Sequence, residues 1–186
     1  EAHRIVVAGE GQLAEAKCRA VLKTAAAVTL FSEAPTQAMR DWANQRQLTL
    51  ETRPCSAPDF EGARLVYAAS EHQSTNKQLA QWARQAGAWV NVLDEPDQCD
   101  FITPAVVDRD PVVVAIGTEG TAPVLARQIK ADVEALLPQH VGRLARAAQS
   151  FRKRVSDTLS PGRPRRQFWK AFFKLAKPHS ENTGLD

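Results

Sequence analysis

Apolar and polar positions follow two periods along this chain. Short apolar runs rich in β-branched residues, Arg4 to Ala8, Val28 to Phe31, Leu48 to Leu50, Arg64 to Ala69 and Trp89 to Leu93, read as strands. The run after Arg4 is continuously apolar, as expected for a strand covered on both faces. Helical spacing predicts helices over about Gln12 to Lys23, Thr36 to Arg46 and Asn76 to Ala86. Strands alternating with helices at this spacing predict an α/β unit with a parallel sheet, residues 1–103, ending near Pro104.

Beyond Pro104 the pattern changes. Ala105 to Val107 and Val112 to Ile116 predict two strands around Asp108 to Pro111. A turn at Gly117 to Thr121 leads into a helix that Thr121 can cap, with Pro123 in its first turn and Leu125, Ile129, Val133 and Leu136 along one face. Too small to be a domain alone, residues 104–138 are expected to form a dimerisation segment. Val141, Leu144, Ala148, Phe151, Val155 and Leu159 recur at steps of three and four, one stripe of a further helix. Pro161, Gly162 and Pro164 are expected to break it before a short basic helix carrying Phe168, Trp169, Phe172 and Phe173. That helical basic segment spans 139–177, and the polar run 178–186 reads as a tail or linker.

Charge sharpens this division. Residues 1–140 hold 13 Lys and Arg against 18 Asp and Glu, a balance of −5, whereas 141–186 hold 11 against 3, a balance of +8. The tail therefore suits an anionic partner. The acidic body and the lack of a recognition motif argue against nucleic acid. No apolar run nears the roughly 20 residues of a membrane span. No secretory signal is visible, and the chain opens at Glu1 almost on a strand, so a few natural residues are expected to precede it. Three widely spaced cysteines, Cys18, Cys55 and Cys99, suit reduced thiols in a cytoplasmic protein, without a disulfide framework or zinc site. His3, His72, His140 and His179 have no ligand spacing and read as surface residues, so no metal ligands are assigned.

Two stretches carry chemistry. Gly9-Glu-Gly-Gln-Leu-Ala14 has the G-x-G-x-x-A form of a dinucleotide fingerprint, between a predicted strand and a predicted helix, which makes the sheet Rossmann-like. Gly9 permits the sharp turn and Gly11 lets a pyrophosphate approach the backbone. Ala14 lets the helix pack close, and the helix N-terminus favours the anion. Glu33, after the second strand, can accept ribose hydroxyls, and no arginine adjoins it, which leans towards NAD over NADP. The second stretch, Asn91 to Pro104, places Asp94, Glu95, Asp97 and Asp100 in a turn at the end of the fifth strand, a natural place for proton chemistry.

These stretches, with Cys99-Asp-Phe101, Val107-Asp-Arg109, Gly120-Thr-Ala-Pro-Val-Leu-Ala-Arg127, Glu134-Ala-Leu-Leu-Pro138 and Arg165-Arg-Gln-Phe-Trp169, give the chain a motif order that resembles the siroheme synthase N-terminal module. That module is a bifunctional precorrin-2 dehydrogenase and sirohydrochlorin ferrochelatase. The resemblance implies a Rossmann unit, a small dimerisation segment and a helical segment in a homodimer. It implies a tetrapyrrole substrate, with Fe²⁺ as the chelation substrate, and Asp94 as the catalytic carboxylate. NAD contacts fall on Gln12, Leu13, Glu33 and Ala34, beside Gly9, Gly11 and Ala14. Asn91, Thr118 and Thr121 are expected to place the macrocycle. The resemblance also allows fusion to, or cooperation with, a uroporphyrinogen methyltransferase. The sequence departs from the pattern at Glu10 and Ala16, where relatives often carry glycine and arginine, and at Thr118, where some carry a phosphorylatable serine. A dehydrogenase without chelatase activity and a non-catalytic, dinucleotide-sensing dimeric module remain alternatives.

Overall fold

A computed structural model describes residues 3–175 and divides the chain between Thr103 and Pro104. In the first unit the predicted strands form as β1 (Arg4–Gly9), β2 (Ala27–Phe31), β3 (Thr49–Glu51), β4 (Ala63–Ala69) and β5 (Trp89–Val92). All pair in parallel, in the order β3-β2-β1-β4-β5. The helices are α1 (Gly11–Val21), α2 (Gln37–Asn44) and α3 (Gln73–Gln85). Thr36 caps α2, its hydroxyl oxygen accepting from the Met39 N–H at 3.3 Å. The prediction started α3 at Asn76, three residues late, because Asn76 serves the turn before the helix. Its buried amide accepts from the Ser70 N–H at 2.9 Å and donates to the Ser70 carbonyl at 2.8 Å.

Alternation along the strands divides the core between the two sheet faces. Ile5, Val7, Val28 and Leu30 pack with Ala14, Cys18, Val21 and Met39 of α1 and α2. Val6, Ala8, Val66 and Val90 pack with Leu79, Ala80 and Ala83 of α3. A buried valine contributes ~1.5–3 kcal/mol on transfer from water, so β1, with Val6 and Val7 fully buried, is the centre of the unit. The chain leaves β1 for β2 on one side, while β4 lies on the other. Strand order reverses there, and the sheet opens a crevice at the carboxyl ends of β1 and β4.

The free edge of β5 is covered by the loop that follows it. The Val90 N–H donates to the Asp100 carboxylate at 2.9 Å, and the Val90 carbonyl accepts from the Asp100 N–H at 2.8 Å. The Cys99 sulfur takes the Val92 N–H, and its thiol donates to the Val92 carbonyl, both at 3.2 Å.

The second unit holds an antiparallel pair, β6 (Ala105–Arg109) and β7 (Val112–Ile116), followed by α4 (Pro123–Leu136), α5 (Val141–Thr158) and α6 (Arg163–Leu175). One sequence expectation changes here. Thr121 does not cap α4: Ala122 stands at the cap, and the Thr121 hydroxyl donates to the Thr118 carbonyl at 2.6 Å. The α4 stripe of the expected dimerisation segment is largely exposed in the single chain, with Leu125 52% and Leu136 80% exposed, while Ala126 packs inward. The expected break between the helices falls at residues 159–162, and Pro164 sits in the first turn of α6, where its missing N–H costs no hydrogen bond. Phe168, Trp169, Phe172 and Phe173 cluster along α6, and Phe172 meets Phe151 of α5 at 6.1 Å between ring centroids. Among the described residues no helix is long and apolar enough to cross a membrane. The run 178–186, read as a tail or linker, and His179 lie outside the described residues.

Burial sets an alkaline limit. Cys18 lies wholly inside the α1 face, and burial, with Glu15 adding repulsion, pushes its thiol from 9 to about 12. The folded chain therefore holds this proton more tightly than the unfolded one. Its contribution to stability is complete below pH 9 and is lost between pH 9 and about 12. Cys18→Ala is expected to flatten that part of the alkaline decline in denaturant midpoints measured from pH 8 to 11.

Candidate functional site

The first corner, between β1 and α1, is built by close approach. Gly9 has φ +150°, and a Cβ there would collide with the Ala69 carbonyl and lie 2.8 Å from the Ser70 nitrogen. The fingerprint's first glycine thus serves contact with β4 as well as the turn. Gly11, at φ +66°, opens α1 with ample room: the nearest atom a Cβ would meet is a Glu71 carboxylate oxygen at 3.6 Å. Glu10 is the α1 N-cap and makes no side-chain cap bond, and no acidic residue occupies the first turn, so the helix N-terminus presents backbone N–H groups. Gln12 and Leu13 are exposed in that first turn. Ala14 is fully buried against the sheet, so its contribution is the close packing of α1.

Beside this corner lies a cavity of about 380 Å³, lined by Gly9 and Glu10, by Ser32 and Glu33 after β2, by Arg53 after β3, and by Ser70 after β4. A neighbouring hollow is lined by Gly11, Glu33, Ala34, Glu71 and His72. The structure therefore gathers Gly9, Gly11, Glu33 and Ala34 around one crevice end. His72, read as a surface residue, stands at its mouth. Two residues there escaped the sequence reading. Arg53, twenty positions beyond Glu33, lines the same cavity. Ser32 is 1% exposed, and its hydroxyl has no hydrogen-bond partner. A buried orphan hydroxyl costs ~1–3 kcal/mol unless a ligand satisfies it, so the cradle fits a polyhydroxylated ligand such as a nucleotide ribose.

Asp94 follows β5 on the same carboxyl edge, outside the lining of these two cavities. It is exposed and sits at φ 54°, a left-handed conformation that aspartate tolerates better than most residues. Asn91 behind it is 5% exposed and fully engaged. Its oxygen accepts from Lys17 Nζ at 3.0 Å, and its NH₂ donates to the Phe101 carbonyl at 2.9 Å and to Cys99 Sγ at 3.4 Å. The other carboxylates diverge. Asp100 pairs with Arg84 at 3.2 Å while covering the β5 edge, whereas Glu95 precedes a single 3-10 turn and Asp97 lies within it.

Lys17 is the residue the sequence reading missed. It lies on α1 beside Ala14, Cys18 and Val21, a cation interrupting an apolar stripe, and that interruption is the legible signal. Its ammonium sits 5.4 Å from the centroid of the Tyr67 ring. Burial lowers its pKa, while the nearby Cys99 and Asp94 pull it back upward. Lys17 thus carries positive charge to the Asn91–Asp94 turn from the same helix whose N-terminus faces the crevice. Thr118 and Thr121 come together in the turn of the second unit, with both the Thr121 N–H and hydroxyl on the Thr118 carbonyl.

A five-stranded parallel sheet with a glycine corner, a free helix N-terminus and a carboxylate after β2 defines a nucleotide-binding α/β unit. Residues 1–105 match the family model described as putative NAD(P)-binding, and the chain belongs to that family. Residues 140–182 match a second model, described as the sirohaem synthase dimerisation region, which lies C-terminal to the 104–138 segment expected to dimerise. The chain is 40% identical over 164 residues to the siroheme synthase of Methylococcus capsulatus, covering 88% of this chain and 35% of that one. It is 36% identical over 180 residues to the siroheme synthase of Pseudoalteromonas translucida, covering 97% and 38%. It thus spans little more than a third of the length of these relatives. Among solved structures, SirC, a precorrin-2 dehydrogenase, superposes with a TM-score of 0.74 at 19% identity, covering 95% of this chain and 85% of that one, a likeness of fold. These similarities agree with the family named from the motifs.

Proposed function

We propose that this chain oxidises precorrin-2 to sirohydrochlorin with NAD⁺, and then inserts Fe²⁺ to give siroheme, as a cytoplasmic homodimer. The observation that carries the oxidation is the pairing, on one sheet edge, of a cradle for a dinucleotide with a lysine-flanked aspartate. Similarity to siroheme synthases over nearly the whole chain supports the substrate. The match to a dimerisation region and the exposed apolar side chains of α4 support the homodimer.

Gly9 and Ala14 would let the corner close on the dinucleotide, Gly11, Gln12 and Leu13 would offer their backbone to its pyrophosphate, and Ser32, Glu33 and Ala34 would meet its adenosine ribose. NAD⁺, when bound, accepts a hydride. Precorrin-2 loses that hydride and one proton, and Asp94 would be the base that takes the proton. Asn91, tied to Lys17 and Phe101, fixes the turn that presents Asp94. Thr118 and Thr121 are proposed to hold the macrocycle. For chelation, two pyrrole N–H protons must leave as Fe²⁺ enters, and Asp94, open to solvent, would take them one at a time and pass each to water.

Mixing the protein with precorrin-2 and NAD⁺ is expected to give NADH absorbance, and supplying sirohydrochlorin with Fe²⁺ is expected to give the siroheme spectrum. Folded protein that produces no NADH would defeat the oxidation. NADH without metal insertion would reduce the activity to dehydrogenation. The ribose assignment has its own check. Ser32→Ala is expected to leave the melting temperature unchanged or raise it, because an orphan hydroxyl is removed, yet to weaken NAD⁺ binding by about fivefold in calorimetric titration.

A further inference from the structure

Arg53 changes what the ribose end of the cavity can accept. It follows β3, lines the same cavity as Glu33, and holds its guanidinium carbon 5.0 Å from the Phe31 ring centroid. An arginine beside the β2 carboxylate is the residue type that a ribose 2′-phosphate calls for. This arginine is already committed. Its two terminal nitrogens fork onto Asp59, Nη1 to Oδ2 at 2.8 Å and Nη2 to Oδ1 at 2.7 Å. Nη1 also donates to the Pro54 carbonyl at 3.2 Å, and Nε faces Glu51 at 3.6 Å. Asp59 is fixed in turn by the Ser56 N–H at 2.7 Å and the Ser56 hydroxyl at 2.8 Å. The Arg53 fork, together with the Ser56 bonds, holds the Asp59 carboxyl well below the ordinary carboxylate range.

Resting on the dinucleotide reading above, we propose that Asp59 and Glu51, by neutralising Arg53, make this cavity selective for a dinucleotide with a free ribose 2′-hydroxyl, acting together with Glu33. Counted together, Glu33, Glu51 and Asp59 outweigh Arg53 by two negative charges. A 2′-phosphate would add about two more, and among the described residues the cavity lining holds no other lysine or arginine to receive them. A 2′-hydroxyl carries no charge and can donate to Glu33. Selectivity thus comes from an arginine already taken, whereas the sequence reading inferred it from the absence of an arginine beside Glu33. The charge pattern also predicts a latent capacity: freeing Arg53 should create a phosphate site without adding any new residue.

The test is calorimetric titration of the whole chain with NAD⁺ and with NADP⁺, independent of turnover. The ratio of the NADP⁺ to the NAD⁺ dissociation constant is expected to be about 100 in the wild type, about 10 in Glu33→Ser, and near 1 in Glu33→Ser with Asp59→Asn, which keeps an acceptor for Ser56 while releasing the arginine. Glu33→Ser with Glu51→Gln leaves the Ser56–Asp59 turn untouched and is expected to fall between the last two. Adding Arg53→Leu to the Asp59 double variant is expected to restore a ratio of about 10. A ratio that stays at the Glu33→Ser value in both double variants, or a gain that survives Arg53→Leu, overturns the proposal. A wild type that binds NADP⁺ as well as NAD⁺ overturns it while leaving dinucleotide binding intact. A wild type that binds neither overturns the dinucleotide reading and this proposal with it.

Discussion

Asp94→Asn is expected to lower precorrin-2 oxidation by about 10²–10⁴-fold while leaving NAD⁺ affinity within about twofold of wild type. The substitution removes the base and little else. Asparagine tolerates the left-handed backbone that Asp94 adopts at φ 54°, whereas alanine would add strain and confuse the result. Asp94 is exposed and lies outside the lining of the cavity at Glu33, so the change does not touch the groups proposed to hold the ribose. Single-turnover formation of NADH, alongside titration of NAD⁺, separates the two quantities. Turnover near that of the wild type would remove Asp94 from the chemistry, and a parallel loss of NAD⁺ binding would show that the residue serves the fold.

Gly9→Ala is expected to destabilise the chain by more than about 3 kcal/mol, combining overpacking against backbone with an unfavourable φ. The added methyl would meet the Ala69 carbonyl and the Ser70 nitrogen, and that strand end cannot step aside. Asn76 holds both backbone groups of Ser70, and β4 is a central strand paired on both sides. Urea midpoints report the effect. Gly11→Ala, with no atom nearer than 3.6 Å to the added carbon, is expected to cost about 1 kcal/mol through φ alone. Equal losses at the two positions would show that the close approach at Gly9 is not what fixes the corner.

Much of this architecture was readable from periodicity, because each strand of the first unit is a short apolar run between helical stretches. Gly9, Gly11 and Glu33 were readable because a strand-to-helix corner constrains which residues fit. Arg53 and Ser32 were not. Arg53 meets Glu33 through β3 pairing beside β2, a long-range contact that leaves no local trace in the chain, whereas Ser32 adjoins Glu33 in sequence but its burial without a hydrogen-bond partner shows only in the folded chain. Lys17 left a trace, a cation within an apolar stripe, but its partner Asn91 lies 74 residues away. Thr121 misled for a related reason. A threonine before a proline-led helix has the form of a cap, yet its hydroxyl is drawn back to the Thr118 carbonyl inside the preceding turn. The α4 stripe was legible as an apolar face, because helical spacing reports such a face without saying what covers it.

The loop after β5 has a consequence for solubility. With the outward N–H and carbonyl groups of Val90 and Val92 taken by Asp100 and Cys99, that border offers no template on which a foreign strand could grow. The opposite border, β3, is only three residues long. A parallel sheet with one margin sealed by its own loop and the other kept brief is guarded against edge-to-edge stacking into fibrils.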